Sequence, residues 1–523
     1  MFSIFGTSLG WLDWTICGSY LAVVIGIGIW FARQKQTADE YFAGGRRMHW
    51  LPIGLSIFAG TFSSLSFVGL PSEAAYEDYH LYLGILFIPF VVMPIVGWLF
   101  IPLFHRLRGI SPYIYLERRF NRFVRVLASL LFMAFTIAWM GNMLVAVGRI
   151  LQVVLDLDAT ELSLVLIGVG LLATIYTTLG GVKAVVWTDA LQAVTLGGGM
   201  LIVLFLAVSR VDGGWTSVWE IGNQHDKFDM FKMELDLTKG NFFAACAFGF
   251  FVYLAGHAVH FTAVQRYVSM PTIRAARRSL VVNGIAVAVV CLIFFLVGTT
   301  IFVFYKQHDG GSNRPSTAAT ESEKETAAQT NWFLDLKNKP KQQDQLLPRF
   351  MMSEIHVAGL MGLLLAGLFA AAMSSIDSGI NSLTASVASD WLPGKRVNMV
   401  FSKVLCFIFG IAAIGVAMYL QQLQENVFNM IKTIAGGFLG PLLGLFLLGL
   451  LSPRANTGGA MIGLFGGLAA YLAMKLSGLS HWWDGACTCI SVLFIGLFAS
   501  LLFPPPDERK LIGLSVGKQR RLV

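Results

Sequence analysis

The segment FAGTFSSLSF, Phe58 to Phe67, interrupts a long apolar stretch of the chain. One glycine and five hydroxyl residues fall close together there: Ser56, Gly60, Thr61, Ser63, Ser64 and Ser66. Such residues weaken a helix, and unwound backbone inside a membrane is tolerated only where it is buried or lines a cavity. Carbonyls freed by unwinding can hold a cation. The segment predicts a broken membrane-spanning helix, with a Ser/Thr-rich helix–helix interface as the alternative.

The composition of the whole chain is that of a membrane protein. Its 523 residues are 56% hydrophobic and only 13% charged, whereas soluble proteins carry roughly 25% charged residues. Apolar runs of about 20 residues recur from end to end. The net charge of +8 fits basic cytoplasmic loops better than nucleic-acid binding. We therefore predict an all-α polytopic membrane protein with lipid around it and no nucleic-acid partner.

The apolar runs predict about 13 transmembrane helices. They lie at about residues 11–32, 51–75, 80–104, 126–152, 160–178, 184–208, 240–263, 279–305, 353–388, 398–420, 427–450, 459–476 and 483–503. The ninth run is too long for one straight crossing. We expect it to overshoot the bilayer or to bend near Gly379.

Lysine and arginine set the predicted orientation, because they concentrate in cytoplasmic loops. The cluster from Arg106 to Arg125 and the group from Arg266 to Arg278 fall on one side of the membrane. This places the N-terminus outside and the basic tail, residues 506–523, in the cytoplasm. Residues 306–349 form a polar extracellular insert, of which His308 to Thr330 reads as disordered.

A second polar segment, AAAMSSIDSGINSLTASVASD, runs from Ala370 to Asp390 within the ninth span. Ser374, Ser375 and Ser378 share one helical face, and Asp377 lies three residues after Ser374. Hydroxyl and carboxylate oxygens suit a hard cation, and a charge at that depth is expensive unless it is paired. The segment predicts a cation site. A protonated aspartate that holds two helices together is the alternative.

A third segment, YTTLGGVKAVVWTDALQ, runs from Tyr176 to Gln192. Gly180-Gly181 predicts a turn at the membrane boundary, and Lys183 marks the cytoplasmic side. Asp189 then falls in the first turns of the sixth span. A structural aspartate favoured by the helix dipole is the alternative to a functional one.

These segments together resemble the sodium/solute symporter family. Further matches in the family order are ADEYFAGGR at Ala38 to Arg46, SPYIYLERRF at Ser111 to Phe120, and VQRYVSMPTIRAARRSL at Val264 to Leu280. The resemblance extends from about Ala38 to Pro504. It implies a LeuT-like core with a five-plus-five inverted repeat, at about 51–208 and 240–450, within one transporter domain, 1–505. The second and seventh spans are then the broken helices around a midplane substrate site.

The resemblance also implies sodium ligands. The principal site takes the carbonyls of Ala59, Phe62 and Ala371 and the side-chain oxygens of Ser374 and Ser375. A possible second site takes Asp189 and Ser378 together with Ser374 and Asp377. Asp377 stands where the family pattern has a serine, so it either strengthens cation binding or stays protonated. The number of coupled cations is left open.

Substrate residues follow from the same resemblance. They are Thr61, Ser63 and Ser66 in the second span, and Gly256, His257 and His260 in the seventh. Trp139 stands where sialic acid transporters carry an arginine, and a tryptophan cannot form the bidentate pair of an arginine with a carboxylate. We therefore do not expect sialic acid to bind in the usual way. Trp139 either stacks on a sugar ring or faces lipid.

The predicted function is sodium-coupled import of a small organic solute across the cytoplasmic membrane by alternating access. The solute is a sugar, a sugar acid or an organic carboxylate, and Na+ is the coupling ion. The six cysteines have no accompanying His cluster, so sodium is the only metal predicted. No HExxH motif occurs, and an enzyme is not expected. Proton coupling through Asp377 and Asp189 and a solute-sensing protein are the alternatives. No obligate protein partner is implied.

Overall fold

The computed structural model describes residues 9–33, 44–62, 64–107, 109–234, 236–308, 333, 335, 339–355, 357–392, 398–423 and 425–516. The side chains of residues 32, 176, 179–181, 340, 341 and 399 are not described. Ser63, most of the predicted disordered loop and the last residues of the basic tail therefore lie outside the described residues.

The regular structure of the described residues is helical. The main helices are α1 (Trp11–Ala32), α2 (Trp50–Thr61), α3 (Ser64–Tyr76), α4 (His80–Leu107), α5 (Arg122–Val154), α6 (Ala159–Val208), α7 (Phe242–Ala258), α8 (Phe261–Val268), α9 (Ile273–His308), α10 (Leu346–Glu354), α11 (Leu360–Ser386), α12 (Met399–Leu420), α13 (Val427–Leu451), α14 (Thr457–Leu476) and α15 (Asp484–Ala499). Shorter helices occur at Gly44–Arg46, Ile114–Arg119, Gly214–Gln224, Pro340–Gln343, His481–Trp483, Ser500–Leu502 and Glu508–Lys510.

The number of membrane crossings agrees with the sequence. Within the described ranges, ten helices are long and apolar enough to cross a membrane, and two bent pairs raise the number to twelve. Ala159–Ile175 is a shorter apolar helix at the start of α6. If this segment crosses separately from the rest of α6, the total is thirteen.

The first part of α6 runs antiparallel to α12. Ser163, near the start of α6, accepts a hydrogen bond from Gln421 just beyond the end of α12 (3.3 Å). Thr174, three turns later, packs against Gly410 in the middle of α12. The chain therefore moves along α12 from its end toward its start.

The second part of α6 runs antiparallel to α11 instead. Asp189 is joined through the Arg266 guanidinium to Ser378, and Gly199 packs near Leu363 at the start of α11. Since α11 and α12 are consecutive antiparallel helices, the two parts of α6 run in opposite directions. The chain therefore reverses between Thr177 and Asp189, and α6 holds two crossings.

Two crossings are broken at their centres. Helices α2 and α3 meet at 61°, and α7 and α8 meet at 51°. Phe62 ends α2 in an extended conformation (φ −96°, ψ 107°), and His260 has an extended backbone before α8 (φ −71°, ψ 129°). Glycine and hydroxyl residues at the first break give little helix propensity, so tertiary packing decides the backbone there. The predicted break within Phe58 to Phe67 is present.

Helix α11 begins at Leu360 rather than at residue 353, because Gly359 adopts a left-handed conformation (φ +85°) that turns the chain. The helical run continues to Trp391, 32 residues, or about 48 Å. This length exceeds the roughly 30 Å hydrocarbon core of a bilayer, so the predicted overshoot of the bilayer agrees with the structure. Gly379 lies inside the continuous helix and packs against Met140, so the bend near Gly379 is absent.

The end of the polar insert is ordered against the helical bundle. Phe333 stacks on the rings of Tyr76 (5.1 Å) and Tyr305 (4.9 Å). Asp344 forms a buried ion pair with Arg149 of α5 and accepts a hydrogen bond from the Val427 amide of α13 (3.1 Å). The last part of the insert therefore fixes the ends of α5 and α13 relative to each other.

Candidate functional site

A cavity of about 130 Å³ lies beside both helix breaks. It is lined by Ile57, Gly60, Thr61, Phe135, Trp139, Val252, Tyr253, Gly256, His257, His260, Thr262, Ala263, Arg266 and Leu439. Five residues predicted to bind substrate are among them: Thr61, Trp139, Gly256, His257 and His260. Ser66 is buried on α3 and does not line this cavity.

The two histidines are held by hydrogen bonds on either side of the break after α7. His257 Nδ1 lies 2.9 Å from the Tyr253 carbonyl, and its Nε2 lies 3.3 Å from the Asn283 amide. A ring whose Nδ1 donates and whose Nε2 accepts carries a single proton and no charge. His260 Nε2 lies 3.4 Å from Thr136 Oγ1. These contacts use much of the histidines' hydrogen-bonding capacity.

Trp139 faces the cavity rather than lipid. Its ring lies parallel to that of Phe135, with centroids 6.3 Å apart and an interplanar angle of 11°. Both side chains come from α5 at a spacing of one helical turn, which places them on one face. They form an aromatic wall on which a planar or apolar face of a ligand can stack.

The predicted principal sodium ligands lie on helices that pack against one another at the break after α2. Ala59 and Phe62 are buried in the last turn of α2, where the extended Phe62 ends the helical hydrogen bonding. Ala371, Ser374 and Ser375 are buried on α11, which packs against α2 and α3. Ser375 Oγ donates to the Ala371 carbonyl (3.2 Å). A hydroxyl that donates in this way keeps its lone pairs for a cation.

Ser374 is the most suggestive of these residues. Its side chain is fully buried, and Ser374 Oγ lies beside the Asp189 carboxylate without a hydrogen bond of ordinary geometry. Buried hydroxyls are normally hydrogen-bonded, so an unsatisfied one needs an explanation. A bound cation is one such explanation.

Arg266 occupies the space between residues of the predicted second sodium site. Its Nη2 donates to Asp189 Oδ2 (2.9 Å) and to Ser378 Oγ (2.6 Å), and its Nε donates to Ser56 Oγ (2.7 Å). Ser56 Oγ also donates to Asp189 Oδ2 (2.5 Å). The sequence interpretation counted Arg266 among cytoplasmic loop charges, and this was wrong. The 51° bend before α8 turns it into the bundle, where it is 4% exposed.

Asp377 points toward a different neighbour. It accepts a hydrogen bond from Thr177 in the first part of α6. Successive helix residues project about 100° apart, so Asp377 and Ser378 face different sides of α11. Of the four predicted second-site residues, Asp189 and Ser378 contact Arg266, and Asp377 contacts Thr177.

Comparison of the sequence with known families identifies the family of this chain. The sequence model of the sodium:solute symporter family matches residues 41–467. The chain belongs to the sodium:solute symporter family. It is therefore an integral membrane protein that moves a small solute with sodium as the coupling ion, and it is not an enzyme.

Individual relatives of this symporter cover nearly its whole length. The sodium/sialic acid symporter SiaT of Proteus mirabilis (strain HI4320) is 30% identical over 515 residues, 96% of this chain and 97% of that protein. The sodium-coupled monocarboxylate transporter 2 of Mus musculus is 30% identical over 513 residues, 95% of this chain and 74% of that protein.

A solved structure shows the same fold. The substrate-bound, outward-open state of a Na+-coupled sialic acid symporter superposes on this symporter with a TM-score of 0.82 at 29% identity. The superposition covers 95% of this chain and 99% of the other. The fold is accordingly the LeuT-like, five-plus-five inverted repeat.

Proposed function

We propose that this symporter imports a small organic acid and binds it in the cavity beside the two helix breaks. Sodium binds at Ala59, Phe62, Ala371, Ser374 and Ser375. One observation carries this proposal: Thr61 lines the cavity at the end of α2, between Ala59 and Phe62, which are the proposed sodium ligands of that helix. An ion that fixes the backbone of the break also fixes the solute contacts, which couples the two affinities.

Two relatives support a carboxylate as the chemical class of the solute. One is named for sialic acid and the other for monocarboxylates. Trp139 and Phe135 add an aromatic wall to the cavity. A solute with both a carboxylate and an apolar or ring face fits this combination, and a sugar without a charge is the alternative.

The arrangement in the membrane follows the charge pattern. We infer a plasma-membrane protein with an outer N-terminus and a cytoplasmic C-terminus, with core repeats at about 51–208 and 240–450. Lysine and arginine outside the insert support this orientation. The possible second sodium site at Asp189, Asp377 and Ser378 requires Arg266 to move or to share Asp189 with the ion.

Thermal-shift screening of the purified protein tests the proposed function. Organic acids, sugars and amino acids are each added with sodium chloride and with choline chloride. We expect an organic acid to raise the melting temperature, Tm, only in sodium. Uptake into proteoliposomes then checks coupling. Uptake driven by an acidic exterior without sodium would contradict sodium coupling.

A further inference from the structure

A second, larger cavity lies at the end of the bundle that the proposed orientation makes extracellular. Its volume is about 510 Å³, and its walls come from the end of α3, the segment before α7, the start of α13 and the ordered end of the insert. Polar side chains dominate the lining. Lys432 of α13 and Trp482 lie among them.

Lys432 is an unusual residue in this cavity. Its side chain is 4% exposed. Its Nζ lies 4.1 Å from the Trp482 ring centroid and 4.7 Å from that of Phe428, and donates one hydrogen bond to Asn429 Oδ1 (3.3 Å). Among the residues that the structure describes, no carboxylate lies within 4 Å of this ammonium group.

Other buried cations of the chain are better satisfied. Arg149 and Arg266 each meet a buried carboxylate. Arg119 and Lys227 each donate to two backbone carbonyls at 2.7–3.0 Å.

The three N–H donors of Lys432 face two aromatic rings and make only one hydrogen bond, which is long. Glu73, Glu77 and Glu425 attract Lys432 only from beyond ion-pair distance. A buried charge without a direct ion-pair partner is costly, and a membrane protein retains one mainly for function.

Lys432 lies on the same helix as a residue of the 130 Å³ cavity at the helix breaks, here called the central cavity. Leu439, seven residues later on α13, lines that cavity. Seven residues are two helical turns, so the two side chains share one face of α13 about 10 Å apart. Lys432 therefore lies on the side of the central cavity that faces the extracellular one. At position 139, by contrast, the aromatic wall offers no charge to a carboxylate.

We propose that Lys432 is the cation that first binds the carboxylate of the transported solute, in the 510 Å³ cavity, before the solute enters the 130 Å³ cavity at the helix breaks. The inference rests on the proposed import of an organic acid. The ammonium supplies the charge, and the Trp482 and Phe428 rings hold it in place. A carboxylate that replaces weak contacts with a charged hydrogen bond gains both charge and hydrogen-bond energy.

The charges around Lys432 do not form a surface that attracts anions, so a preference for carboxylates has to come from Lys432 itself. The cavity is lined by five carboxylates and three lysines: Glu73, Glu77, Asp78, Glu234, Asp236, Lys232, Lys239 and Lys432. Asp78 contacts His80, and Asp236 pairs with Lys239 (3.4 Å). The excess of acid repels anions in general, so a carboxylate binds here only where it reaches Lys432.

Matched pairs of acid and uncharged ligand test the proposal. The probes are sialic acid and its methyl ester, lactate and lactamide, and benzoate and benzamide, measured by calorimetry on the full-length protein in sodium. We expect at least one acid to bind more tightly than its uncharged partner. Lys432→Met should raise the Kd of that acid by at least about tenfold and leave the partner's Kd unchanged. Lys432→Arg should keep the preference.

Controls separate binding from folding and from general charge. Lys432→Met should not lower the Tm of the ligand-free protein, because it removes an unpaired buried charge at nearly equal volume. Lys239→Met removes the same charge from a side chain that is 72% exposed in the same cavity, and should not change the preference.

Three results would overturn the proposal: an acid preference that survives in Lys432→Met, a wild type that binds none of the acids, or loss of the preference in Lys239→Met as well. Sodium-dependent binding of uncharged solutes alone would overturn the role of Lys432 and leave sodium-coupled import standing. Absence of sodium-dependent binding for every solute in the wider screen would overturn both.

Discussion

Ser374 and Ser375 contribute the side-chain oxygens of the proposed principal sodium site. Ser374→Ala combined with Ser375→Ala should abolish sodium-dependent binding and uptake while folding is preserved, because alanine fills the space but supplies no ligand oxygen. The measurement is the Tm of the purified protein as a function of sodium concentration. Ser389→Ala, on the continuation of the same helical run, is the matched control and should keep the sodium response. An unchanged sodium affinity in the double variant would contradict the site assignment.

Asp377 bears on the number of coupled cations. Asp189 already has Arg266 as its charge partner, so a second ion needs a contribution from Asp377 or a movement of Arg266. We expect Asp377→Asn to lower the Hill coefficient for sodium toward one, while uptake persists through the principal site. Sodium-dependent uptake in proteoliposomes is the measurement. A wild-type coefficient of one that stays unchanged in Asp377→Asn would contradict the two-cation interpretation.

The roles of individual residues could be predicted only in part from the sequence. Hydroxyls beside Gly60 indicated the break, and the break is present. Arg266 was misplaced because its position depends on the direction of α8, which only packing sets. Lys432, inside the predicted span 427–450, was a signal that the sequence interpretation did not use, since a charged residue within a span is expensive.

At the scale of helices, close crossings distinguish two glycines on α7. Gly249 packs against the backbone of Gly84 on α4, whereas a Cβ at Gly256 would meet open space beside the cavity. Gly249→Ala should therefore lower Tm, with a cost on the order of 1–3 kcal/mol for overpacking. Gly256→Ala should leave Tm unchanged and alter only solute affinity. Thermal unfolding of both variants is the measurement. Equal losses of Tm would show that the two positions do not differ in packing.

Helix lengths explain where the predicted boundaries failed. The ninth predicted run began at residue 353, at the end of α10, instead of at Leu360, because apolar residues continue across the turn at Gly359 and hydropathy does not register a left-handed glycine. Gly180-Gly181 predicted a turn between the two parts of α6, since glycine pairs favour turns. Helix boundaries could thus be predicted where the local sequence was distinctive. They could not be predicted where the backbone angle of a single residue decided the start of the helix.

At the scale of the whole molecule, we expect the two parts of the insert to have different roles. Deleting residues 309–330 should be nearly silent in sodium-dependent uptake, because this stretch lacks the apolar residues for a core and its removal mainly shortens a loop. Its ordered end is different, since Asp344 contacts both Arg149 and the start of α13. Asp344→Ala leaves Arg149 buried without its carboxylate, which should cost about 3–5 kcal/mol of stability.

These two variants test the division of the insert when Tm and uptake are measured together. Phe333 and Asp344 both lie beyond the deleted stretch, so their contacts with Tyr76, Tyr305 and Arg149 remain after the deletion. Tm should then stay near the wild-type value in the deletion and fall in Asp344→Ala. Asp344 is also next to Gln343, which lines the 510 Å³ cavity, so its loss should weaken solute binding more than sodium binding. A deletion that lost uptake at unchanged Tm would instead mean that residues 309–330 control access to that cavity.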